Sequence, residues 1–224
     1  MSGGGPSQGK STHFTTAYCC RYVLNWSKVW KIREHLYLGN YWSGEQALLG
    51  HSIPTEPNGP SYPFAGIVSL CPVPIEDADP LVGPLAPNTE WLHLPILDGG
   101  SGEGEFRAAC DLAVPFIQRT RERGNVLVHC TAGMSRSVSL VVAVLCSDDP
   151  DLDVTQAYLE VAQAKGRALG VEPADAEMLI APAWEFRVYL RQRFARTTPR
   201  CDRSATADEK NIDADSGQKP ETFC

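Results

Sequence analysis

Two kinds of apolar run organise this chain. NVLVHC (125–130) is apolar almost without a break, as a strand covered on both faces is, whereas TEWLHLPIL (89–97) alternates apolar and polar positions in strand fashion. Between them, GEFRAACDLAVPFIQRTRERG (104–124) repeats at helical spacing: Phe106, Ala109, Cys110, Ala113, Phe116 and Ile117 share one face, Gly124 suits the end, and Pro115 predicts a kink. Upstream, VWKIREHLYLGN (29–40) reads as a strand closed by Gly39 and Asn40, GEQALLG (44–50) as a short helix, and FAGIVSLCPV (64–73) as a strand. Downstream, a helix is predicted from about 136 to 147, VTQAYLEVAQAK (154–165) is a helix with Asp153 and Gln156 as its capping box, and WEFRVYLRQRF is a last helix behind Pro182. Strand, loop and helix in that order around 125–147 predict an α/β sheet with NVLVHC central.

The ends break the pattern. Residues 1–24 open on Gly, Ser and Pro without any period, and 197–224 are polar with almost no large apolar side chains, so both are expected to be disordered around a single domain at 25–196. HSIPTEPNGPSYP (51–63) reads as a surface insertion.

Composition narrows the function classes. A net charge of −7 argues against bulk binding to nucleic acid or an anionic membrane, both of which need a basic surface. The most apolar run, VSLVVAVLC (138–146), is too short for a membrane span. The first ten residues hold no apolar leader and no glycine directly after Met1, so a soluble chain without signal peptide or myristoyl group is expected. Eight cysteines without a Cys-x-x-Cys pair read as thiols of a reducing compartment, cytoplasmic or nuclear.

The sharpest chemistry lies in VHCTAGMSRS (128–137). Five residues, Thr131, Ala132, Gly133, Met134 and Ser135, separate Cys130 from Arg136 between a buried strand and a helix start. Such a turn can aim consecutive backbone N–H groups into one concavity, and the helix terminus adds positive potential there. Gly133 permits positive φ and close backbone approach. Arg136 can grip two phosphate oxygens with its fork. A cysteine at that focus is expected to be a thiolate, in line with the phosphorus of a bound phosphate.

The run His129-Cys130-Thr131-Ala132-Gly133-Met134-Ser135-Arg136-Ser137 resembles the His-Cys-x-x-Gly-x-x-Arg-Ser/Thr signature of cysteine-dependent phosphatases, in the Ala-Gly-x-Ser-Arg-Ser form of the dual-specificity protein phosphatases. The resemblance extends over about 29–195. It implies a mostly parallel mixed sheet of about five strands flanked by helices, a phosphocysteine intermediate, no metal or other cofactor, and phosphotyrosine and phosphoserine/threonine proteins as substrates. It further implies that His129 helps set the thiolate pKa and that Ser137 hydrogen-bonds the sulfur and eases breakdown of the intermediate. The chain departs from the family pattern in the insertion at 51–63. It departs again after the 154–165 helix, where KGRALGVEPADAEMLIAPAWEF replaces the usual Arg-Pro and Pro-Asn-x-Gly-Phe.

A leaving alkoxide or phenoxide needs a proton. Asp98 is the candidate acid, at a strand end before GGSGEG, read as a mobile loop, and at an offset from Cys130 that resembles the family's. Glu103 and Glu105 are fallback acids on the same loop. His13, His35, His51 and His93 have no metal-site spacing. Cys71 reads as a packing thiol, with a disulfide to Cys130 under oxidation as the alternative, and the five tryptophans suit a core and its edges. Without lysine at 131, 132 or 134, the loop favours phosphorylated proteins over phosphoinositides. The alternatives are a phosphoprotein-binding pseudophosphatase and a phosphatase acting on a non-protein phosphate such as a phosphoinositide. Oligomeric state has no signal in the sequence.

Overall fold

The structure, a computed structural model, describes residues 29–51, 53–54, 61–72, 86, 88–99 and 102–195; the segments 1–24 and 197–224 expected to be disordered lie outside them. The apolar run at 29–40 forms two strands, not one: β1 (Val29–Arg33) and β2 (Leu36–Gly39) pair antiparallel across a turn in which His35 takes a left-handed φ of 54°. No Gly, Pro or Asn marks that turn, so the break is silent in the pattern. Asn40 then caps α1 (Tyr41–Leu48): its side chain accepts from the Ser43 N–H, and Ser43 Oγ accepts from the Asn40 N–H.

Within 51–63, β3 (Ile53–Pro54) and β4 (Ser61–Tyr62) pair antiparallel. The expected surface insertion is anchored, because Ile53 is buried with Leu48 and Phe64. Strands β5 (Gly66–Ser69), β6 (Glu90–His93) and β7 (Val126–His129) complete a five-stranded sheet of order β1-β2-β7-β5-β6. All pairs but β1–β2 are parallel, and β7 is central.

Both faces of the sheet are covered. Residues of one parity, Leu127, Ile67 and Tyr37, pack with α1 residues Ala47 and Leu48. Those of the other parity, Val126, Val128, Val68 and Leu38, face the main core. That core is built by α2 (Gly102–Arg121), α3 (Arg136–Asp148), α4 (Val154–Leu169) and α5 (Trp184–Arg193), with a 3₁₀ helix (Pro173–Leu179) between the last two. Every residue of α3 from Arg136 to Cys146 is buried, as suits a helix that is apolar all round.

Helix α2 runs as one element through Pro115 and buries the predicted face, with Phe116 half-covered. It begins at Gly102, so Glu103 and Glu105 belong to its first turn and not to a mobile loop. Asp153 caps α4 by accepting from the Thr155 N–H, and Gly170 ends it at φ 67°. Of the described tryptophans one departs from its expected place: Trp30 is buried and Trp42 and Trp91 are half-buried, but Trp184 is 68% exposed, and Trp26 lies outside the described residues. Among the described residues no helix is long and apolar enough to cross a membrane.

Candidate active site

The site forms where the central strand ends. Parallel register sets Ser69 of β5 beside His129 of β7, and the alternation along β7 turns His129 toward α1. The next residue, Cys130, is 1% exposed and opens the loop that leads into α3.

Three carbonyls of this loop are tied to donors outside it. Thr131 O accepts from the Tyr41 N–H (3.1 Å), Gly133 O from the Lys165 ammonium (2.7 Å) and Met134 O from the Ala181 N–H (2.9 Å). In a planar trans peptide the following N–H points opposite to the carbonyl. The N–H groups of Ala132, Met134 and Ser135 are therefore turned to the inner side of the loop, and none of them donates to an acceptor among the described residues. The N-terminus of α3 adds its dipole at the same place, while Ser135, at the cap position, spends its Oγ on the Ala183 N–H instead of on its own helix. This is an anion cradle built from backbone.

The cysteine sulfur sits at its base, accepting from the Gly133 N–H (3.3 Å) and from Ser137 Oγ (3.1 Å). Gly133 holds a φ of 68°, and a Cβ there would fall 2.8 Å from Gly39 O and 2.9 Å from the Trp30 ring, so only glycine fits.

Arg136 is 5% exposed. Its Nη1 donates to Leu70 O (3.0 Å) and Ile96 O (3.1 Å), and its Nη2 donates to Thr131 Oγ1 (3.0 Å). These bonds fix the guanidinium plane, yet its buried Nε has no hydrogen-bond partner. A buried charged donor left open in this way is a place for an incoming acceptor. Asp98, at the end of the segment that supplies Ile96 O, brings its Oδ2 to 3.7 Å from that Nε and keeps 44% of its side chain exposed.

Behind the cysteine, His129 is fully buried. The Trp91 indole N–H donates to Ser69 Oγ (2.8 Å), which leaves the Ser69 hydroxyl proton free for His129 Nε2 (2.6 Å). Burial pushes the imidazole down to about 3, with a weaker opposing effect from the Cys130 backbone, so the ring is neutral. A Cβ on Gly44 of α1 would overlap this ring, so the helix backbone lies directly on it. Cys71, two residues past the C-terminal end of β5, is a buried free thiol; burial, then the charge of Cys130, push it up to about 12.

The structure thus brings together Cys130, the loop 131–135, Arg136, Ser137, His129 and Asp98. Three participants were not singled out from the sequence. Ser69 and Lys165 are polar residues at apolar positions, Ser69 within GIVSL and Lys165 one turn after Val161 on the buried face of α4. That mismatch is the signal by which both are detectable. Trp91 carries no such mark.

No protein-family model matches the chain. It is 32% identical over 126 residues to human dual specificity protein phosphatase 12, covering 56% of this chain and 34% of the relative. Against the rat protein of the same name the identity is 31% over 160 residues, 71% of this chain and 40% of the relative. The chain therefore spans well under half the length of these curated relatives. Among solved structures, the PTP-2 phosphatase of Cydia pomonella superposes with a TM-score of 0.51 at 16% identity, over 75% of this chain and 90% of that one, a likeness of fold. In sequence the chain is similar to dual specificity protein phosphatases, and its mixed five-stranded sheet flanked by helices is a dual-specificity phosphatase-like α/β fold.

Proposed function

We propose that the chain is a protein phosphatase that hydrolyses phosphotyrosine and phosphoserine or phosphothreonine through a phosphocysteine intermediate. One observation carries the reading: the Cys130 sulfur lies at the base of a loop whose free N–H groups turn inward, beside a buried Arg136 Nε without a hydrogen-bond partner. The names of the curated relatives support the same activity.

The phosphoryl group of a substrate sits on the inward N–H groups and on Arg136, which place phosphorus above the sulfur. Cys130 attacks as the thiolate, the P–S bond forms, and the ester P–O bond breaks. Asp98, as the carboxylic acid, gives its proton to the leaving oxygen. Its carboxylate then takes a proton from water, which attacks phosphorus and expels the cysteine sulfur. Ser137 donates to that sulfur and eases its departure. Exposure of Asp98 toward the mouth of the site suits a group that must meet both leaving group and water. With Thr, Ala and Met at 131, 132 and 134, the loop offers no lysine for additional phosphates, which favours protein substrates over phosphoinositides.

The test is hydrolysis of phosphotyrosine and phosphothreonine peptides and of a phosphoinositide by wild type and Cys130→Ser. The expected result is turnover of the peptides, its loss in Cys130→Ser, and retained binding of tungstate as a phosphate mimic. Residual turnover within about tenfold of wild type would sink the mechanism. Binding without turnover by the wild type would favour a phosphoprotein-binding role, and preference for the lipid would move the substrate class.

A further inference from the structure

Of the three outward carbonyls of the loop, only that of Gly133 is held by a side chain. Its partner, Lys165, is 2% exposed. The ammonium donates to Gly133 O and to Leu179 O, each at 2.7 Å, and lies 4.4 Å from the centre of the Trp30 ring. It forms no ion pair with a carboxylate among the described residues. A cation stripped of water and left without an anionic partner is costly to keep. Burial lowers its pKa to about 8, and the group whose charge opposes that fall is Cys130.

The position is telling. Lys165 joins α4, the end of the 3₁₀ helix and the Trp30 ring of β1 to one peptide group of the cradle, the unit 133–134. Because carbonyl and N–H of that unit point in opposite directions, holding Gly133 O from behind holds the Met134 N–H toward the anion. The stretch that carries this arrangement, KGRALGVEPADAEMLIAPAWEF, is where the chain departs from its family's usual pattern. The same stretch supplies Ala181 and Ala183 for the bonds to Met134 O and Ser135 Oγ.

We propose that Lys165 is a positioning residue for phosphate binding, which keeps the Met134 N–H turned into the cradle and sets a positive charge behind the loop. The proposal rests on the phosphatase reading of the same loop. It assigns Lys165 to anion affinity and not to proton transfer, so its loss should appear first in the binding of a phosphate mimic and in KM.

The test is tungstate binding to the 224-residue chain by calorimetry, with wild type, Lys165→Met and Lys165→Arg compared after near-UV circular dichroism has checked the fold of each. Lys165→Met should weaken tungstate at least about tenfold and raise KM for nitrophenyl phosphate in parallel, and Lys165→Arg should recover most of the loss. In the wild type, saturating tungstate should shift the Met134 amide resonance, a readout that holds even if Lys165→Met fails to fold. An unmoved Met134 amide, or equal tungstate affinity in wild type and Lys165→Met, overturns the inference while leaving the anion site intact. Absence of tungstate binding by the wild type overturns the phosphatase reading and this inference with it.

Discussion

Acid should destabilise this fold through one buried ring. His129 is fully enclosed, with α1 backbone on one side and Ser69 Oγ at 2.6 Å from Nε2. Protonating Nε2 would place a second donor against a hydroxyl that already accepts from Trp91, besides charging a group without water. The pKa is about 3 in the fold against an ordinary value of 6.5, so below pH 6.5 the unfolded chain binds a proton that the native chain refuses. Its contribution is full above pH 6.5 and is lost as pH falls toward 3, at about 1.4 kcal/mol per unit. From pH 6.5 to 4.5 the loss is about 2 kcal/mol, a sizeable share of the roughly 5–15 kcal/mol that holds a domain together. The upper part of that window, from pH 6.5 to about 5.5, lies above the titration of ordinary carboxylates, so the slope there reports the histidine. Urea unfolding at intervals across it should show the decline in wild type and its absence in His129→Gln, whose amide carries no titrating charge. A wild-type stability that stays level from pH 6.5 to 4.5, or an His129 ring resonance that titrates near 6.5, would refute the reasoning.

The remaining predictions concern the loop and its acid. Gly133→Ala must hold a left-handed φ and push a methyl against Gly39 O and the Trp30 ring, so it should cost about 1–3 kcal/mol in thermal unfolding and lower anion affinity as well; unchanged tungstate binding would contradict the cradle geometry. Asp98→Asn should slow hydrolysis of alkyl phosphates by roughly 10²–10⁴ and of nitrophenyl phosphate much less, because a stable phenolate leaves without a proton. An equal loss on every substrate would assign Asp98 to loop shape through Arg136, and a graded loss in Glu105→Gln instead would move the acid to α2.

Those features of the fold that depend on burial were legible in the sequence. VLVH announces a strand covered on both faces, and Val138–Leu145 a helix buried all round, because apolar continuity has no other stable home. The cradle was legible for a similar reason: Cys130, Gly133, Arg136 and Ser137 are chemically constrained at fixed offsets. What escaped were features made by side chains that meet only in three dimensions. The β1–β2 turn rests on His35 at positive φ, a position where sequence patterns look for Gly or Asn. The α1 cap pairs Asn40 with Ser43, outside the Ser/Thr-x-x-Glu pattern by which such boxes are recognised. Lys165 is marked in the sequence only as a polar residue at an apolar position of α4, and the carbonyls it holds meet it only in three dimensions, while Glu103 and Glu105 read as loop acids because Gly102 and Gly104 suggest a loop where α2 has already begun.

The central claim is that Cys130 carries the phosphoryl group. Wild-type chain mixed with nitrophenyl phosphate, quenched in acid within one turnover and digested, should yield the peptide of Cys130 heavier by one phosphoryl group. The adduct should accumulate in Ser137→Ala, which lacks the donor to the departing sulfur, and be absent in Cys130→Ser. Turnover without any adduct on Cys130, or an adduct on another residue, would contradict the account.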